Sequence, residues 1–260
     1  MLSSLTCLCL YLVFFLSLST SAFAFNLWEK GTFEASGNFG FSQLDLGNST
    51  FGVTETETDT LRQSHNPFGA EFAAGVARLI PLNKRTALTP YIWFPELRIG
   101  LNLRYLNQSL FNQYTTGQIE QYQEPSMNNY NYRIHVESTR LMIDLALTVA
   151  TMQKISVFIL GGMGPGWTNL SYSDRPVSGV LDGNLILNDG TKNGLVKEIG
   201  GGIFYNCTET VRTSLHYLYT DFGSISTGNT GLLNGFPAQI RPAHFSLHSN
   251  AILLGLHLTV

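Results

Sequence analysis

The residues with the means to do chemistry are few and mostly scattered. His248 and Ser249 would supply a base and a nucleophile, but they are adjacent, and on an extended segment neighbours point to opposite faces and cannot act as a pair. Gly161, Gly162, Gly164 and Gly166 imitate a phosphate loop without the lysine or the following helix that such a loop needs. His244 and His248 lack a third ligand, so neither a metal site nor any other cofactor is expected. Asn48, Asn107, Asn169 and Asn206 begin N-x-Ser/Thr sequons, which matter only in a eukaryotic secretory route. What remains is charge: Glu34, Glu71, Glu96, Asp144 and Glu198 alongside Arg98, Arg104, Arg140 and Arg212, set among residues that are apolar at every second position.

That alternation identifies the elements carrying the charges. Eight segments read as strands: 32–42, 68–80, 96–106, 132–149, 155–167, 195–206, 211–222 and a closing run from about His244. In the third, Leu97, Ile99, Leu101, Leu103 and Tyr105 oppose Glu96, Arg98, Gly100, Asn102 and Arg104. In the last, Ile252, Leu254, Leu256, Leu258 and Val260 share one face. The apolar stretches are about 9–11 residues, the length a tilted strand needs to cross a bilayer. Segments 45–67, 107–131, 169–193 and 223–243 are long and polar, whereas 150–154 and 206–210 are tight and 81–95 is intermediate. A soluble sandwich has no reason to lengthen every second loop. The pattern predicts an all-β, eight-stranded antiparallel transmembrane up-and-down β-barrel, with long loops outside the cell and both termini periplasmic. The first half of the fourth strand is polar on both sides and is expected to stand above the membrane.

The start of the chain fits export. Leu8 to Leu18 is almost wholly apolar and Ala22-Phe23-Ala24 offers a small-x-small cleavage site, which predicts a signal peptide over 1–24 and a barrel domain over 25–260. Cleavage would leave Cys207 alone, excluding an intramolecular disulfide and a cysteine zinc site. Charged residues are only 13% of the chain, about half the soluble norm, and the net charge of −3 gives no footprint for nucleic acid. Phe39, Phe41, Tyr105, Trp167, Tyr217, Tyr219 and Phe222 fall near one end of the strands, and Tyr91, Trp93, Phe94 and Tyr205 near the other, as aromatic girdles at two lipid–water boundaries would require.

On these features the chain resembles the small eight-stranded outer-membrane barrels, the OmpA-, OmpX- and Opa-like surface proteins of the porin family, over roughly 25–260. The resemblance implies an integral protein of a Gram-negative outer membrane, surrounded by membrane lipid and lipopolysaccharide. It also implies a barrel-assembly machinery that reads the terminal run Ile252, Leu254, Leu256, Leu258, Val260, although the family usually ends in an aromatic where Val260 stands. Leu247-His248-Ser249-Asn250-Ala251 is similar to the His-x-Ser-Asn-Ala motif of lipid A 3-O-deacylases, but Leu247 occupies the histidine position and no enzymatic activity is expected. A barrel this narrow is filled by its own side chains, so the opposed charges should pair and plug it; a small ion-conducting pore is the alternative. Function is then expected in the loops. Glu55, Glu57 and Asp59 lie in the first, and Tyr114, Tyr122, Tyr130 and Tyr132 in and beside the second, as a structural or adhesive surface for a host or extracellular ligand.

Overall fold

Alternating side chains and frequent β-branched and aromatic residues make strands of most of the chain in the computed structural model, which describes residues 31–47, 49–53, 57–82, 96–111, 113–179 and 183–260. The expected signal peptide and Tyr91, Trp93 and Phe94 lie outside the described residues. Eight long strands pair in a closed antiparallel ring: β1 (Thr32–Asp45), β4 (Phe68–Pro81), β5 (Glu96–Asn107), β7 (Tyr130–Met152), β8 (Ile155–Pro176), β9 (Leu185–Asn206), β10 (Val211–Ser226) and β13 (His244–Thr259), the last bonded back to β1. The row through Phe41, Ile252, Tyr217, Gly201, Ile159, Leu147 and Leu97 returns to β4 at Ile80, ten residues from Ala70, the direct partner of Phe41. Such a stagger over eight strands tilts them roughly 40–45° from the axis.

One strand shows how the wall is used. Toward the short turns, β7 turns Leu141, Ile143, Leu145 and Leu147 outward and Arg140, Asp144 and Thr148 inward. Toward the long-loop end the sidedness inverts: Asn131, Arg133 and Glu137 face out, while Tyr132, Ile134 and Val136 are buried inside. The change falls near Ser138, whose hydroxyl meets Thr168 of β8 at 2.9 Å. Greasy outside with charge inside suits lipid; greasy inside with charge outside suits water. The barrel therefore has a transmembrane storey and a second storey standing in water.

Five shorter strands wall the second storey: β2 (Ser49–Gly52), β3 (Thr58–His65), β6 (Thr115–Glu120), β11 (Thr230–Leu233) and β12 (Phe236–Gln239). They extend the sheet from β7 through β6 and β3 to β2, and from β9 through β11 to β12. A single bridge between Gly52 and Arg241 joins the two extensions, with the Arg241 N–H donating to the Gly52 carbonyl at 2.9 Å. Much of the segments expected to be loops is strand, and the first half of the fourth strand, expected to be polar on both sides, is amphipathic. Leu44, Leu61, Leu106, Ile134, Leu170 and Leu247 are fully buried. At roughly 1.5–3 kcal/mol for each such side chain, their burial is ample reason for segments of polar composition to be ordered.

Two local devices make this core possible. Gly117 of β6 stands against Tyr132, where a Cβ would lie 2.6 Å from the ring and 2.0 Å from the Arg62 carbonyl. A bulge between Asp221 and Gly223 (φ +71°), fastened by the Gly223 N–H donating to Asp221 Oδ1 at 2.7 Å, shifts the phase of β10 beyond Phe222, so that Ile225 rather than Ser224 faces the core. Phe222 itself alternates in phase with Leu218 and Thr220, faces inward, and is not an outer-rim anchor; it lies between the charged storey and the apolar one.

Candidate functional site

Three places bring functional groups together: the charged lumen, a polar row on the outer wall, and the mouth of the second storey. In the lumen, period-two alternation aims the charges at the axis and the ring makes them neighbours. Glu34 accepts from Arg98 Nε and from Arg212 Nε, each at 2.7 Å, with His257 Nδ1 at 3.0 Å, while Arg212 Nη1 donates to Glu96 at 2.8 Å. Arg104 Nη2 lies 3.1 Å from Asp144 and 3.0 Å from Glu198. Arg140 Nη2 lies 2.5 Å from Glu71, with its guanidinium 4.9 Å above the Phe222 ring. All nine charges named from the sequence thus enter ion pairs. The alternation also held what that list missed: His216, Asn102 and the stacked rings of Phe158 and Phe204, 4.2 Å apart, occupy the same interior. The space beside Arg98, Arg104, Asp144 and His216 is about 30 Å³, room for a water or two.

On the outer wall, Tyr219 and Asp221 of β10 flank His248 of β13, the tyrosine hydroxyl at 3.0 Å and the carboxylate at 3.4 Å from Nδ1. Ser249 points the other way and is fully buried, so the trio lacks a nucleophile. Phe39, Phe41, Trp167 and Tyr217 are exposed on this wall, as is Tyr205 toward the short turns, and Tyr105 donates to Glu137 at 2.7 Å. Ile252, Leu254, Leu256, Leu258 and Val260 all project outward.

The mouth is built by the loops. Tyr132 and Tyr172 stack at 6.3 Å and Phe51 meets Tyr172 at 6.0 Å, forming an aromatic floor over the apolar core. Above it lies a cavity of about 290 Å³ whose wall includes Ile119, Leu185, Tyr130, Asp59 and Asp174. Asp59 and Asp174 are only 4% and 7% exposed. Asp59 Oδ1 accepts the Tyr122 N–H at 3.0 Å; Asp174 Oδ1 accepts the Leu185 N–H at 2.7 Å and Oδ2 the Tyr172 hydroxyl at 3.0 Å. Burial pushes both carboxyls up to about 6 against these hydrogen bonds, helped by Glu57 acting on Asp59 and by Asp59 acting on Asp174. Tyr132, expected in an adaptable outer surface, is instead part of the floor, because it alternates in phase with Ile134 and Val136. Tyr122 is exposed, with a left-handed backbone (φ 53°).

No protein-family model and no curated protein matches the chain. Among solved structures it is similar to the outer membrane protein OprG from Pseudomonas aeruginosa, with 13% identity over 88% of this chain and 97% of that one and a TM-score of 0.47. It is also similar to the Neisserial surface protein NspA, with 10% identity over 87% and 96% and a TM-score of 0.40. A third similarity is to the outer membrane protease OmpT from Escherichia coli, with 10% identity over 93% and 100% and a TM-score of 0.38. These are outer-membrane barrels. The expectation that the chain has no enzymatic activity is corrected: one of the matched structures is described as an outer membrane protease.

Proposed function

We propose that the protein is an integral barrel of a Gram-negative outer membrane that lifts a binding surface clear of the lipid while keeping its lumen shut. The observation that carries this reading is the stacking of two unlike closures: a layer of paired buried charges, and above it a dry apolar core. Water and ions crossing the barrel would have to break both. The outward apolar belt supports a first storey set in the bilayer, among outer-membrane lipid and lipopolysaccharide, with Phe39, Phe41, Tyr105, Trp167, Tyr217 and Tyr219 proposed as one girdle and Tyr205 in the other. The tight turns and both termini then face the periplasm. The row ending in Val260 serves as the signal for the barrel-assembly machinery. The second storey presents a host or extracellular ligand with a surface that is rigid rather than a set of loose loops, which lowers the entropy lost on binding.

The test is electrical and topological. Purified protein in planar bilayers should give no steady single-channel current, and Gln239→Cys, at an exposed position of β12, should react with impermeant maleimide on intact cells. A stable conductance would sink the plugged reading, and labelling only after outer-membrane permeabilisation would invert the orientation. The adhesive form of the proposal requires that replacing 227–243 by a short turn reduce binding of expressing cells to host matrix.

A further inference from the structure

Most of the buried charges are already explained. The lumen arginines and carboxylates are ion-paired with one another, although several of their buried nitrogens and oxygens make no hydrogen bond, and in the outward trio Asp221 and Tyr219 both contact His248. Asp59 and Asp174 are different. Both are more than nine-tenths buried, both line the mouth cavity, and neither makes an ion pair with any basic side chain among the described residues. Asp59 Oδ2 has no hydrogen-bond partner there at all. A buried anion without a partner is costly, and chains normally remove it or pair it. Here two are kept in one cavity beside Phe51, behind which Tyr172 and Tyr132 are stacked.

We infer that the mouth cavity binds a small organic cation, an ammonium or guanidinium group carrying a short apolar body, with Asp59 and Asp174 receiving the cationic head and the Phe51, Ile119, Leu185 and Leu233 surface taking the body. The observations favour this class on three counts. The cavity, about 290 Å³, exceeds what a bare metal ion needs. Its wall is part hydrocarbon, which a hydrated inorganic ion would not use. Both carboxylates already accept backbone N–H donors, the chemistry an N–H-bearing cation would extend. Barrel mouths are also among the commonest places for small-ligand sites. The inference rests on the reading that this end of the barrel faces the cell exterior, and it adds a ligand class to it.

The probe is butylguanidinium, with butylurea as its neutral isostere, titrated by calorimetry into the full barrel in zwitterionic detergent. The groups that face the cavity and titrate are Glu57, Asp59, Asp174 and Tyr130, with Tyr132 and Tyr172 beneath. The carboxylates are ionised at pH 8 and largely protonated at pH 5, so one-to-one saturable binding at pH 8 should weaken about tenfold or more at pH 5. Asp59→Asn and Asp174→Asn should each show a similar loss at pH 8, and butylurea should not bind. Each variant is first checked for the faster migration of unboiled sample that marks a closed barrel, and Phe236→Ser, on the exposed β11–β12 hairpin, should bind as the parent does. Absent saturation, equal binding of butylurea, indifference to both Asn changes in closed barrels, or full competition by millimolar calcium would each overturn the inference. Conductance and surface labelling report on the parent reading without involving this cavity, so the two can fail separately.

Discussion

Arg140 and Glu71 are each fully buried and 2.5 Å apart, at the level where lumen charge gives way to apolar core. Removing one partner strands the other's charge, so Arg140→Met should cost about 3–5 kcal/mol in urea unfolding from lipid vesicles, whereas Arg140→Met with Glu71→Leu should recover most of that loss. A double variant as unstable as the single would mean that the pair stabilises beyond its own charges. Asp59 and Asp174 make the opposite case. Their folded carboxyls sit at about 6, above the ordinary 3.8. Folding therefore binds protons, and stability falls as pH rises from about 4 through 6, then levels off. In ligand-free protein, Asp59→Asn should raise the thermal midpoint by a few degrees at pH 8 and leave it unchanged at pH 4, read by circular dichroism. A destabilised variant at pH 8 would show that the ionised group is stabilising.

Among the elements, β1, β5, β7, β8, β9, β10 and β13 all reach the upper core, and β2, β3, β6, β11 and β12 belong to the second storey alone. The extra strands are short and depend on close fits such as Gly117 against Tyr132. Gly117→Ala must move either the ring or the Arg62 strand. The expected outcome is loss of the second storey with the transmembrane ring intact: proteolysis should cut within 58–65 and 115–120 while the unboiled sample still migrates as a closed barrel. Cooperative loss of both storeys would show that β7 couples them more tightly than their separate cores imply.

Over the whole molecule, the wall reverses its polarity within single strands, and the height of reversal marks where lipid must end. A consequence is that lengthening the apolar belt should be tolerated only below that height. Ser171→Leu with Ser173→Leu, on the outward side of β8 above the reversal, should reduce solubility of the refolded protein in short-chain detergent without altering the lower ring. Unchanged behaviour would place the lipid boundary higher on the wall.

Alternation along the chain was enough to give eight crossing strands, the lumen position of Glu34, Glu71, Glu96, Arg98, Arg104, Arg140, Asp144, Glu198 and Arg212, and the outward face of Ile252 to Val260, because a side chain's facing on a strand is a local property of period two. Which of those charges pair, and that Asp59 and Asp174 meet in one cavity, were not readable that way, because ring closure and stagger join residues from 40 to 178 positions apart. The second storey hid for a related reason. Its outward residues are as polar as a loop's, and the inward run Tyr132, Ile134, Val136 becomes a core only once β2, β3, β6 and β11 fold around it.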